Sequence, residues 1–167
     1  MTQTLLPPPE LTAADYREQF PDITVGLNWE RFAAERWPIE RRILTNRQEL
    51  LGFHTFFRKS LGRIMPHFLH WLASQQMRMG DVVENFARIP AEHRASVEYF
   101  VAQWASSPGP LQLELPTYRF APSEHFILDG NHRATAIALS GKPFRIELVS
   151  VVGPRERDAL VDVTSCR

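Results

Sequence analysis

The pattern of apolar and polar positions changes character at residues 106–110, where Ser-Ser-Pro-Gly-Pro interrupts the chain. Before this breaker apolar residues recur at the i, i+3, i+4, i+7 spacing of an amphipathic helix, most clearly at Val97, Phe100, Val101 and Trp104. After it, runs rich in β-branched and aromatic residues predict three strands, over 111–120, 125–128 and 144–152. The same stretch predicts one helix over about 132–140 and a short final helix over 154–160.

Capping signals predict further helices upstream of the breaker, because a short polar side chain can accept from the unpaired N–H groups of a first turn. The predicted starts are Thr12 with Asp15, Asn28, Thr45 with Gln48, Pro66, and Asp81 with Glu84. The helix that opens at Thr45 is expected to extend to Ile64, since Leu50, His54, Phe57 and Leu61 recur at helical spacing. The helix that follows Pro66 would carry an apolar face formed by Phe68, Leu69, Trp71 and Leu72.

These elements predict an α+β fold, with a small mixed β-sheet and packed helices preceded by a mostly helical N-terminal half. Three segments are expected: a flexible proline-rich arm at 1–10, a helical region at 11–106, and an α/β core at 107–167. About sixty residues are too few to bury a full core alone. The segment 81–106 is therefore expected to pack on the sheet as part of one compact unit.

Residues 126–133, Phe-Ile-Leu-Asp-Gly-Asn-His-Arg, carry the most chemical information. A short apolar run, an Asp-Gly turn and a helix start predict a helix N-terminus, which favours an anion. Arg133 adds a fork of donors suited to phosphate, and His132 can exchange a proton near neutral pH. The residues alone leave a plainer alternative open, in which Asp129 caps the helix and the rest is an ordinary solvated turn.

The octet Ile127-Leu128-Asp129-Gly130-Asn131-His132-Arg133-Ala134 resembles the phosphate-binding signature of the ParB/sulfiredoxin superfamily, in which a Gly-x-x-Arg turn opens a helix after a strand. A weaker likeness extends over about 91–153. The resemblance implies a ParB/sulfiredoxin-like fold that binds ATP or CTP, with Mg²⁺ as a candidate ion. It implies catalytic roles for His132 and Asp129, and a nucleotide-binding and phosphate-binding set of Gly130, Asn131, His132, Arg133 and Thr135.

Activities in that superfamily include nucleotide hydrolysis, phosphoryl transfer, nuclease action, DNA partition and cysteine sulfinic acid reduction. Sulfiredoxins place their reactive cysteine where this chain has Asn131, and its single cysteine, Cys166, is expected on a mobile tail. A sulfiredoxin reaction is therefore excluded, and no second signature of a ParB DNA-binding domain is found. The resemblance favours a nucleotide hydrolase or phosphotransferase, with nuclease action on DNA as a second enzymatic possibility.

Two other function classes stay open. In one, a non-catalytic module senses nucleotide or another phosphorylated ligand, and its helical N-terminal half binds a protein partner. In the other, the Asp-Gly-Asn turn is merely structural. A formal net charge of +0, from 19 basic and 19 acidic residues, argues against broad non-specific binding to nucleic acid or to an anionic membrane.

A single cysteine and the lack of a long apolar run predict a cytoplasmic protein with no membrane partner. His67 and His70, three residues apart on a predicted helix, could form a metal pair. No acidic or thiol ligand stands at useful spacing, so ordinary histidines are expected and no metal site is assigned. The acidic residues nearest to the turn in sequence are Glu114, Glu124 and Glu147, and none is assigned as a catalytic base.

Overall fold

A seven-stranded mixed sheet takes strands from both halves of the chain in the computed structural model, which describes residues 11–66 and 75–166. The strands are β1 (Ile39–Leu44), β2 (His54–Ser60), β3 (Arg63–Met65), β4 (Gln75–Arg78), β5 (Leu111–Ala121), β6 (Glu124–Ile127) and β7 (Phe144–Val152). Their order is β1-β7-β5-β6-β2-β3, and β4 also pairs with β2. The pairs β5 with β7 and β2 with β6 are parallel, whereas the other pairs are antiparallel.

Six α-helices accompany the sheet within the described residues. They are α1 (Ala13–Gln19), α2 (Trp29–Glu35), α3 (Arg47–Leu51), α4 (Met79–Glu84), α5 (Ala91–Ala105) and α6 (Asn131–Ser140). Two of the predicted caps are confirmed: Thr12 and Asp15 form a reciprocal capping box, and Asn28 Oδ1 accepts from the N–H of Arg31 at 2.9 Å.

The predicted elements around the breaker are confirmed. Helix α5 ends at the Ser-Ser-Pro-Gly-Pro stretch, and β5, β6, α6 and β7 follow within a few residues of their predicted bounds. Helix α6 ends at Gly141, whose positive φ suits the end of a helix. The protein is thus α+β with a mixed sheet, as expected.

The prediction of a mostly helical N-terminal half is not confirmed, because that half also supplies β1, β2, β3 and β4. The long helix expected from Thr45 to Ile64 is replaced by α3, β2 and β3. Asn46, not Thr45, caps α3 by accepting from the N–H of Gln48 at 2.8 Å, and the helix ends at Gly52. The β-prone residues Thr55, Phe56 and Phe57 then enter a strand.

Three smaller predictions also need correction. Helix α4 begins at Met79, so Asp81 is its third residue, accepting from the N–H of Arg78 at 3.3 Å. No helix covers 154–160, where the chain turns before a short 3₁₀ helix at Val163–Ser165. Cys166 is fully buried rather than placed on a mobile tail.

Some predictions lie outside the described residues. These are the arm at 1–10, the helix that follows Pro66, and the pair His67 and His70.

Apolar side chains cover both faces of the sheet. One face packs against α1 and α2 through a cluster that includes Tyr16, Phe32, Tyr118, Val149 and Val151. The other packs against α3 and α6 through a cluster that includes Leu50, Leu115, Ile137, Ile146 and Leu148. Alternate residues of β7 therefore enter opposite clusters, as expected for a strand buried on both faces. No helix in the described part of the chain is long and apolar enough to span a membrane.

Candidate functional site

A cleft of about 470 Å³ opens beside the N-terminus of α6, where β2 and β6 separate. The two strands pair only at His54, opposite Phe126. Beyond that point the Asn131 side chain bridges them, because its Oδ1 accepts from the N–H of Phe56 at 3.2 Å and its Nδ2 donates to the carbonyl of Ile127 at 3.4 Å. Asn131 thus fixes the turn against both strands.

Gly130 shapes the turn that leads into α6. Its φ is +81°, in the left-handed region that favours glycine. A Cβ at this position would lie 3.1 Å from Leu115 Cδ1 and 3.3 Å from Arg133 Nη2, so a side chain would meet both neighbours. No side chain in the described part of the chain caps the first turn of α6. Its backbone N–H groups can therefore donate to an anion, which makes this the candidate anion-binding end of the cleft.

Arg133 folds back across the turn and meets Asp129. Its Nη2 lies 2.9 Å from Asp129 Oδ2, and both side chains are about one-third exposed. An ion pair this open contributes less than about 1 kcal/mol. Another anion, such as a phosphate, can therefore displace the Asp129 carboxylate from the Arg133 guanidinium at a small cost in free energy.

His132 is held by a second histidine and by an aromatic ring. Its Nε2 lies 2.9 Å from His93 Nδ1, and the ring of Phe56 meets both imidazoles edge to face. Burial lowers the pKa of His132, the neighbouring His93 lowers it further, and the Asp129 carboxylate only partly opposes them. His132 is therefore neutral at pH 7, and an N–H···N bond between the rings can carry one proton.

The other walls come from distant parts of the chain. Thr24, Val25 and Gly26 contribute from the loop before α2, Phe100 from α5, and Asp162 from the segment after β7. The Asp162 carboxylate is paired with the guanidinium of Arg58, a residue that is only 7% exposed. Both carboxylates that line the cleft are thus neutralised by an arginine.

The structure brings most of the predicted site residues together. Asp129, Gly130, Asn131, His132 and Arg133 all line the cleft. Thr135 is not brought to it, since the residue is fully buried, and its hydroxyl donates to the carbonyl of Asn131 at 2.7 Å. The three nearby acidic residues also point elsewhere, because Glu114 and Glu147 pair with Arg41, and Glu124 pairs with His54 and Arg78.

The described residues offer neither a cluster of metal ligands nor a reactive thiol. They contain no group of three or more His, Cys, Asp or Glu side chains able to hold a metal ion. Burial raises the pKa of the Cys166 thiol to about 12, so it stays protonated at neutral pH.

Sequence reasoning missed the contributions of Phe56, His93 and Phe100 to the site. Phe56 falls within the helix predicted from Thr45 to Ile64, although Thr55-Phe56-Phe57 is a β-prone run lying between Gly52 and Gly62. Phe100 falls on the apolar face of the helix predicted before the breaker, and no local signal marks His93.

Comparison with known proteins gives no match for this chain, whether to a family model, to a curated protein or to a solved structure. The resemblance of the 127–134 octet to the ParB/sulfiredoxin signature therefore stays a prediction.

Proposed function

We propose that the cleft binds a nucleoside triphosphate, ATP or CTP, through its phosphate chain and hydrolyses it or transfers its terminal phosphoryl group. The observation that carries the proposal is the Gly130 turn, where an uncapped helix N-terminus and the Arg133 guanidinium lie beside one cleft. Both groups favour anions, and their combination suits a phosphate chain. The resemblance of the octet supports the same ligand class.

Each residue of the turn has a binding role that its contacts support. The backbone N–H groups after Gly130 would donate to phosphate oxygens, and Arg133 would exchange the Asp129 carboxylate for a phosphate. Asp129, once released, would orient the turn or help to hold Mg²⁺, for which a carboxylate is a suitable ligand. Asn131 keeps the turn in place through its contacts with Phe56 and Ile127.

His132 is the proposed proton carrier. It is neutral at pH 7 and linked to His93, so it can donate to a phosphate oxygen or move a proton. Charge that develops on transferred phosphate would be stabilised by Arg133 and by the helix N-terminus.

The decisive experiment is isothermal titration with ATP and with CTP in the presence of Mg²⁺, using wild type and Arg133→Ala. We expect the variant to lose at least tenfold in affinity, since a charge-assisted contact contributes about 1.5–3 kcal/mol. The matched control is Arg41→Ala, which removes an exposed arginine that pairs with Glu147 away from the cleft. Unchanged affinity in a folded Arg133→Ala protein, checked by circular dichroism, would refute the assignment.

A non-catalytic nucleotide sensor is the second candidate, in which the N-terminal half contacts a protein partner. One observation favours it: both carboxylates of the cleft are paired with arginines, which leaves neither of them ready to activate water. Phosphate release by wild type and His132→Gln separates the two candidates. Turnover that falls in the variant supports an enzyme, whereas clear binding without turnover supports a sensor. Metal-dependent nicking of plasmid DNA would instead indicate nuclease action.

A further inference from the structure

The cleft has an aromatic end in addition to its anion-binding end. Phe56 of β2 and Phe100 of α5 both line it, and both side chains are half-buried. Phe56 stacks on Phe57, with ring centroids 4.2 Å apart, and meets the imidazoles of His93 and His132 edge to face, whereas Phe100 packs on Trp104 at 5.5 Å. Two separately supported rings therefore border one opening.

This arrangement suits a flat, apolar-faced group. The neighbours of each ring hold its orientation, so little side-chain entropy is lost when a ligand stacks there. Val25 and Leu128 add apolar surface to the same cleft. Its volume of about 470 Å³ lies in the range of small-molecule sites, which are typically apolar with a few placed polar groups.

We propose that the aromatic end holds the nucleobase, against the rings of Phe56 and Phe100, while residues 130–133 hold the phosphate chain. This inference rests on the proposed function and names the part of the ligand that gives it selectivity. Stacking on an aromatic ring accepts any base, because every base has a π face.

Among the polar side chains that line the cleft outside residues 129 and 132–133, Thr24 is exposed and offers a single hydroxyl, while two others are already engaged. The Asn131 amide is already used by Phe56 and Ile127, and the Asp162 carboxylate is paired with Arg58. The area of base stacking therefore sets the preference among nucleotides. Purines have a larger stacking area than pyrimidines. ATP and GTP should bind with similar affinity and more tightly than CTP.

The test is isothermal titration of wild type and Phe100→Leu with ATP, GTP, CTP and inorganic tripolyphosphate. Tripolyphosphate carries the phosphate chain without a base, so it reports on the anion-binding end alone. We expect wild type to bind ATP about tenfold more tightly than tripolyphosphate. In Phe100→Leu, ATP affinity should fall to the tripolyphosphate level, while tripolyphosphate affinity stays unchanged.

One control and one further variant keep the test specific. Phe20→Leu shortens an aromatic side chain that packs on Tyr16, outside the cleft, and should bind all four ligands like wild type. Phe56→Leu provides a second variant of the aromatic end, with the same loss of ATP preference expected.

The outcomes separate the two proposals. Equal affinities for ATP and tripolyphosphate, tighter binding of CTP than ATP, or a parallel loss of both ligands in Phe100→Leu would each overturn the base site. Arginine-dependent tripolyphosphate binding would still support the phosphate site in those cases. If neither tripolyphosphate nor any nucleotide binds wild type, the proposed function fails and the base site fails with it.

Discussion

Two groups in this protein are built from the same residue types, a histidine, a carboxylate and an arginine, yet only one lines the cleft beside α6. The closed group consists of His54, Glu124 and Arg78. His54 is fully buried with its Nε2 2.7 Å from Glu124, and Arg78 Nη2 lies 3.1 Å from both carboxylate oxygens. Arg78 also donates to the carbonyl of Gly52 at 2.7 Å. Both oxygens of the Glu124 carboxylate therefore already have hydrogen-bond partners.

The open group consists of His132, Asp129 and Arg133. Here the arginine and the carboxylate share one contact, the histidine is held by His93, and all three residues line the cleft. Residue type therefore does not by itself distinguish the two groups. An opening and backbone donors that no side chain caps distinguish the second group from the first.

The electrostatics of the closed group follow from its contacts. Burial alone would raise the pKa of Glu124, but hydrogen bonds from His54 and Arg78 outweigh it and hold that pKa below its ordinary value. Burial lowers the pKa of His54 despite the nearby carboxylate. The pair is therefore a neutral imidazole that donates to a carboxylate, an arrangement suited to stability rather than to proton exchange.

The largest expected effect concerns acid stability at His125 of β6, the residue that follows Glu124 of the closed group. Burial lowers its pKa from 6.5 to about 4, so protons bind more readily to the unfolded chain and stability falls as pH drops from 6.5 towards 4. The shift corresponds to about 3 kcal/mol. His125→Phe should keep the ring packing on Phe53 and remove most of this loss in urea denaturation between pH 7 and 4.

His132→Gln is the matched comparison in the open group and should keep most of the acid sensitivity. Equal acid sensitivity in His125→Phe and wild type would contradict the expectation for His125.

A smaller effect is expected from Glu124→Gln, which removes the charge that Arg78 and His54 share. The free energy of unfolding should fall by about 1 kcal/mol at pH 7, because the Arg78 guanidinium and the buried His54 lose a charged acceptor, although the ion pair itself is about one-third exposed. Urea denaturation measures the loss, and titration with ATP should give wild-type affinity. A loss of affinity without a loss of stability would show that the two groups are not separate in function.

The smallest effect on stability is expected from Asp129→Asn in the open group. Unfolding should change by less than about 0.5 kcal/mol, since the ion pair with Arg133 is partly exposed. ATP affinity without Mg²⁺ should rise several-fold, because Arg133 no longer has a competing anion. Weaker binding in Mg²⁺-free buffer would show that the Asp129 carboxylate does not compete for the guanidinium.

The open group was predictable from sequence because its geometry is local. A short apolar run, a glycine with positive φ and the first turn of α6 all lie within residues 126–133. Turn chemistry and helix-terminus physics need no information from the rest of the chain.

The rest of the cleft could not be predicted in this way. Strand β2 is largely buried, so its sequence lacks the alternation that identifies a half-exposed strand, and its apolar residues matched helical spacing instead. Phe56, His93 and Phe100 reach the turn only through the packing of β2 and α5 around α6. Such contacts depend on sheet order, which no single-sequence pattern encodes.

The pairing of β1 with β7 has a consequence for the order in which the molecule is made. Ile39 lies opposite Val151 and Leu44 lies opposite Ile146, so β1 must wait during synthesis until residues 146–151 have left the ribosome. Contacts between residues so distant in sequence slow folding, because a long loop must close first. The cleft needs Asp162, which is made later still. The nascent chain therefore has every residue of the 126–133 turn well before it has a complete cleft.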